Sequence, residues 1–158
     1  MHILLLILCS FTYSFAELVI SQARRELNLK STVIREVVSA SLYNTNSAEL
    51  TSVDFSVSSE VWFNLSKVTI TQKGHEEPLE FVKKTQNCPE NIRCFTAQLK
   101  SAIASGGKLV FTIKMSYGNA LAPFPKTIRQ GEQQIVKFIG NLLICSPYLI
   151  ENQKLTVR

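Results

Sequence analysis

Past the first sixteen residues, apolar and polar positions alternate along most of the chain, and a period of two predicts β-strands. Leu109, Phe111, Ile113, Met115 and Tyr117 fall on one face, and Val110, Thr112, Lys114 and Ser116 on the other. Val53, Phe55 and Val57 stand opposite Asp54, Ser56 and Ser58, and Phe95, Ala97 and Leu99 stand opposite Thr96 and Gln98. Val68 and Ile70 likewise oppose Lys67, Thr69 and Thr71. A slip of one residue would turn each apolar set to water, so these registers are well specified. Residues 32–43 are rich in β-branched side chains. Ile34, Val38, Ala40 and Leu42 alternate there, with Glu36 interrupting the set. The length of this stretch also allows a helix, but Val33, Ile34, Val37 and Val38 favour extended structure.

Turn chemistry separates these segments at Asn44 to Ser47, Lys73-Gly74, Asn87 to Asn91, Ser105-Gly106-Gly107 and Gly118-Asn119. Eight or so strands with frequent turns predict an all-β fold, an antiparallel β-sandwich. The one candidate helical turn lies near Gln130 to Gln134. Ala122-Pro123-Phe124-Pro125 is excluded from a central strand, because two prolines remove ladder donors. It is expected to cross the edge or end of a sheet in extended form. Ile135 to Ile139 returns to strand composition. Leu155 to Arg158 reads as the start of a strand with no partner in view, as in the first part of a longer unit.

The first sixteen residues read differently. Ile3 to Leu8 is an unbroken apolar run, and Ser14-Phe15-Ala16 puts small residues where a signal peptidase cleaves. This predicts a secretory signal peptide over 1–16. The run is far shorter than the roughly 20 residues that span a bilayer, and no other segment is expected to cross a membrane. The compartment is then oxidising, and disulfides are permitted.

Composition narrows the function classes. With 46% hydrophobic and 18% charged residues, the 158-residue chain can bury enough apolar surface to fold as one domain. The net charge is +5, from 17 Lys and Arg against 12 Asp and Glu. The basic residues are scattered and do not alternate with aromatic ones, so no nucleic-acid partner is expected. His2 and His75 are the only histidines. His75 sits among Glu76, Glu77 and Pro78, as a solvated loop residue would, and no metal motif surrounds it. A hydrolase would have to recruit this one histidine. Ser105-Gly106-Gly107-Lys108 lacks the spacing of a phosphate loop and reads as a hairpin turn. No catalytic, metal or cofactor residues are assigned.

Three features remain. Cys88 and Cys94 enclose five residues, a spacing that suits neither a redox pair nor a zinc knuckle. They form either a local disulfide or two loop thiols. Cys145, in an apolar run, reads as a buried thiol. Asn64-Leu65-Ser66 is the single N-glycosylation sequon.

The stretch from Tyr117 onward is the most specific in the chain. It contains LAPFPKTIRQGEQQIVKFIGN, followed by Ser146-Pro147-Tyr148. Through Tyr117, Pro123, Pro125, Gln130, Glu132, Gln134, Phe138, Gly140, Asn141, Ser146, Pro147 and Tyr148, this stretch resembles the ribophorin I family. Arg24-Arg25-Glu26-Leu27-Asn28-Leu29 agrees more loosely. Ile139, Leu142 to Cys145 and Leu149 depart from the family pattern and make this end more apolar.

The resemblance implies a non-catalytic subunit of the oligosaccharyltransferase complex, which supports protein N-glycosylation in the endoplasmic reticulum. It implies a single-pass type I membrane architecture with luminal β-sandwich domains, of which residues 17–158 would be the N-terminal one. It implies no cofactor. The implied partners are other subunits of the complex and nascent polypeptide clients. The catalytic Trp-Trp-Asp signature belongs to another subunit, and here Trp62 is followed by Phe63. The competing expectation is a small secreted β-sandwich module for binding or adhesion, with a paired last strand. The segment Leu142 to Cys145 with Leu149-Ile150 reads as an apolar patch, either a contact surface for a partner or, as favoured, a face that packs on a following domain of the longer family architecture.

Overall fold

The computed structural model describes residues 18–158. The signal peptide read over 1–16 lies outside the described residues. In chain order the strands are β1 Val19–Asn28, β2 Ile34–Tyr43, β3 Leu50–Ser58, β4 Leu65–Gln72, β5 Phe81–Lys84 and β6 Ile92–Ile103. They continue with β7 Lys108–Tyr117, β8 Leu121–Phe124, β9 Ile135–Phe138, β10 Leu149–Ile150 and β11 Gln153–Val157. A four-residue helix, α1 Ser59–Trp62, follows β3.

A six-stranded sheet runs β10-β1-β2-β7-β4, with β11 also on β1. A smaller sheet runs β3-β6-β5, and β8 and β9 form a separate two-stranded ribbon. The two larger sheets enclose one core, so the all-β sandwich expected from the alternation is the fold. Its innermost side chains come from both sheets: Ile34, Leu42, Ile70 and Leu109 from the larger, Val53 and Ala97 from the smaller. Phe95 stacks on Phe55 and on Trp62, with ring centroids 5.1 Å and 5.5 Å away. The strict alternation of β7 is fully realised, since Leu109, Phe111, Ile113, Met115 and Tyr117 are all buried.

Two buried amides tie the sheets together. Gln72 on β4 donates to the Ser101 carbonyl (3.0 Å) and accepts from the Lys100 N–H (2.9 Å), both on β6. Asn44, fully buried after β2, donates to the carbonyls of Ala48 (2.9 Å) and Ile103 (2.9 Å). Each amide meets backbone groups that would otherwise be unpaired where the chain passes between layers.

Several expectations need correction. The sandwich is antiparallel except at one edge, where β10 and β11 run parallel to β1. The last strand is not left unpaired, because β11 pairs with Ala23 to Leu27 of β1. Gln130 to Gln134 forms no helix and contains only a turn, closed at Gly131 with φ +89°. The helix is instead at Ser59–Trp62, where the Ser58 hydroxyl caps the Glu60 N–H. Ser105 to Lys108 is not a hairpin turn. It carries the chain from β6 in one sheet to β7 in the other.

The core and the C-terminal surface should therefore respond in opposite ways to truncation. Leu42→Ala is expected to cost about 2–5 kcal/mol. Leu142→Ala, at a side chain 73% exposed, should change stability by less than about 0.5 kcal/mol. Urea denaturation of the two variants checks both.

Candidate functional site

Glu36, the residue that breaks the apolar period of β2, is buried. Its partner is Arg25 on β1, also buried, whose Nε donates to Oε1 (2.7 Å) and Nη2 to Oε2 (3.3 Å). The Tyr117 hydroxyl, on β7, donates to Glu36 Oε2 at 3.0 Å. Three neighbouring strands thus each place one polar group on the core face. Burial, with the Glu36 carboxylate beside it, pushes the Tyr117 phenol far above its ordinary value, which keeps it a donor. The desolvated charges are opposite in sign and each carries further hydrogen bonds, which is what makes such a pair tolerable in a core.

The guanidinium has a further direction to give. Arg25 Nη1 donates to the carbonyl of Asn141 and to that of Leu142 (3.4 Å). These belong to residues 139–148, an irregular strap between β9 and β10. Other contacts hold the strap along its length. Gln153 of β11 accepts from the Ile144 N–H (2.9 Å) and donates to the Leu142 carbonyl (3.2 Å). The Tyr148 N–H donates to Ser146 Oγ (3.0 Å), and the Asp54 N–H of β3 donates to the Tyr148 hydroxyl (2.7 Å). The strap therefore joins the edge of the smaller sheet to the larger one. It covers an apolar crevice lined by Val38, Val57, Val61, Ile113 and Met115. Its own Leu142 and Leu143 face outward, 73% and 68% exposed, as does the neighbouring Leu149.

The ribbon is the second feature. β8 and β9 pair Phe124 with Ile135 and Pro123 with Val136, and all four of these side chains are exposed. The Phe124–Pro125 peptide bond is cis. Gln134 Nε2 donates to the Pro125 carbonyl (2.8 Å), and the Arg129 N–H donates to Glu132 Oε2 (2.8 Å). At Gly140 an added Cβ would lie 2.7 Å from the Phe138 ring, so any larger residue there would have to displace that ring.

The family-pattern residues thus divide between two tasks. Pro123, Pro125, Glu132, Gln134, Phe138 and Gly140 shape the ribbon and its exit, with Gln130 exposed in its turn. Asn141, Ser146 and Tyr148 fix the strap, Tyr117 holds the Glu36 carboxylate that pairs with Arg25, and Pro147 is exposed on the strap. Arg25 and Glu36 are the partners that sequence reasoning missed. The available signal was a carboxylate on an apolar face, which requires a buried cation nearby.

The remaining candidates lie apart from these. Cys88 and Cys94 are bonded to each other. Cys145 is a half-buried free thiol that accepts from Ser56 Oγ (3.4 Å). Asn64 is half-buried just after α1, and its backbone carbonyl accepts from the Gly118 N–H (2.8 Å). His75 is exposed, 3.3 Å from Ser101 Oγ. Among the described residues no group of three or more His, Cys, Asp or Glu could hold a metal, and no helix is long and apolar enough to cross a membrane.

Two outcomes follow from this geometry. Arg25→Met leaves Glu36 buried without its cation and should cost about 3–5 kcal/mol, while adding Glu36→Leu and Tyr117→Phe should restore most of that loss. Urea denaturation measures both. The second concerns alkali. An unfolded tyrosine ionises near pH 10, whereas burial pushes Tyr148 up to about 12, against the pull of the Asp54 N–H. The unfolded chain gives up this proton first. The stability Tyr148 contributes is therefore complete below about pH 10 and is lost as pH rises through about 12. Thermal melts between these values should show a falling limb that Tyr148→Phe makes shallower.

Comparison with known proteins places this geometry. The model of the ribophorin I family matches residues 18–158. A relative from Arabidopsis thaliana, dolichyl-diphosphooligosaccharide--protein glycosyltransferase subunit 1A, is 24% identical over 164 residues, covering 99% of this chain and 27% of its own length. Among solved structures, an M1 zinc metallopeptidase from Deinococcus radiodurans superposes with a TM-score of 0.51 at 13% identity, over 89% of this chain and 32% of that one. A mutant of that enzyme with a bound tripeptide gives the same values. At such identity the likeness concerns the fold alone. The chain spans about a quarter of the length of its Arabidopsis relative, and with its whole described length matched by the family model, it belongs to the ribophorin I family.

Proposed function

We propose that the chain acts as a luminal, non-catalytic binding unit of an oligosaccharyltransferase complex in the endoplasmic reticulum. It would assemble with other subunits and present nascent polypeptides to them. The observation that carries this reading is the family match over residues 18–158, joined to where the family-pattern residues fall. They shape an exposed ribbon and strap, not a cavity with convergent reactive groups. Binding function commonly resides in exposed irregular segments held by a rigid scaffold. The apolar run 3–8 supplies the entry signal, and residues 17–158 form the luminal domain.

A second reading, a small secreted β-sandwich module for binding or adhesion, is favoured by one observation. β11 is paired along β1, as expected of a module that folds by itself.

Expression of the full tagged chain in eukaryotic cells tests both. The proposal predicts retention in the endoplasmic reticulum and recovery with oligosaccharyltransferase subunits from detergent-solubilised microsomes. It also predicts one endoglycosidase-H-sensitive glycan, absent in Asn64→Gln. Secretion into the medium without those subunits would support the second reading instead.

A further inference from the structure

The β8–β9 ribbon has no packing role equal to the care with which it is shaped. Leu121 and Phe138 root its base against the core, but beyond them both faces are open, with Phe124, Ile135 and Val136 each more than half exposed. A two-stranded ribbon with no third strand or covering layer is marginal in water. Yet its loop is fixed by the Gln134 and Glu132 hydrogen bonds to the backbone of Pro125 and Arg129. Fixing an exposed loop in advance lowers the entropy cost of docking it.

The two edges of the ribbon differ. β8 contains Pro123, which has no N–H to donate, so its edge is blunted. β9, Ile135-Val136-Lys137-Phe138, has no proline and, among the described residues, pairs only with β8. It offers a free line of donors and acceptors of the kind to which an extended chain adds.

The charge also has one sign. Lys126, Arg129 and Lys137 make no ion pair among the described residues, and the one acid of the ribbon, Glu132, is occupied by its own loop. Apolar pairs stand on both faces, Phe124 with Ile135 on one and Pro123 with Val136 on the other. A lipid surface can meet only one face of a ribbon. A strand added in plane can place side chains along both.

We infer that the β8–β9 ribbon docks a partner protein through an acidic, extended segment that adds along β9 as a third strand. This deepens the proposed function and rests on it for the identity of the assembly, not for the chemistry of the docked segment.

The test uses the full chain in intact endoplasmic-reticulum membranes, with the photoreactive residue p-benzoylphenylalanine replacing Ile135. Irradiation is expected to give one protein adduct, mapped by mass spectrometry to an Asp- and Glu-rich segment of the partner. The triple change Lys126→Glu, Arg129→Glu and Lys137→Glu alters only exposed side chains and should reduce the adduct at least tenfold. Val136→Pro, which removes a strand donor, should also reduce it. Adducts to lipid alone, to a second copy of the chain, or to a segment without acidic residues would overturn the inference. So would a yield indifferent to the charge reversal, or no adduct in a chain that still purifies with oligosaccharyltransferase subunits. An acidic, extended adduct in a chain that purifies without those subunits would uphold the docking chemistry and refute the proposed function.

Discussion

The structure turns on the buried contact between Arg25 and Glu36. A carboxylate inside an apolar sandwich is tolerable only when a cation and further donors surround it. Arg25 supplies the cation and Tyr117 the extra donor, so β1, β2 and β7 are locked in register by one charged group. The guanidinium then spends its remaining donor on the carbonyls of Asn141 and Leu142. The same pair that fixes the larger sheet therefore fixes the strap that closes the sandwich beside β3. Stability of the core and placement of the C-terminal surface are in this sense one problem.

Much of the fold was legible from local pattern. The alternation of β7 survives residue for residue, with its apolar set buried and the residues between more open, and β3 keeps it through Val53, Phe55 and Val57, although Ser58 is buried too. Glu36 was legible only as an irregularity. Its partners stand 11 and 81 residues away in sequence, and a period within one strand carries no information about them. Gln72 and Asn44 were hidden for the same reason, since their hydrogen bonds run to residues 100–101 and 103–104. The parallel pairing of β11 with β1 joins the two ends of the described chain, and nothing in Leu155 to Arg158 names that partner. Pro123 and Pro125 correctly excluded this segment from a central position, but did not reveal the pairing of β8 with β9 at the side of the sandwich.

The candidate surface was legible through resemblance more than through physics. The family-pattern residues lie mostly outside the core, and their structural tasks became visible only with the hydrogen bonds of Gln134, Glu132, Tyr148 and Asn141 in place. Such residues shape what a partner meets without themselves being the contact. The large apolar side chains left open on this surface are Phe124, Ile135 and Val136 on the ribbon and Leu142, Leu143 and Leu149 on and beside the strap. All six are more than half exposed on a chain whose core is otherwise well filled. A scaffold that exposes aliphatic side chains on shaped segments is organised for association.

Amide hydrogen exchange on the full chain, free and within its assembled complex, tests this division most directly. The account predicts that amides of residues 139–148 that donate within the fold, Ile144 and Tyr148 among them, are protected in both states. Amides on the free edge of β9 should exchange quickly in the free chain and become protected on assembly. Rapid exchange at Ile144 and Tyr148 in the free chain, or an unchanged β9 on assembly, would contradict it.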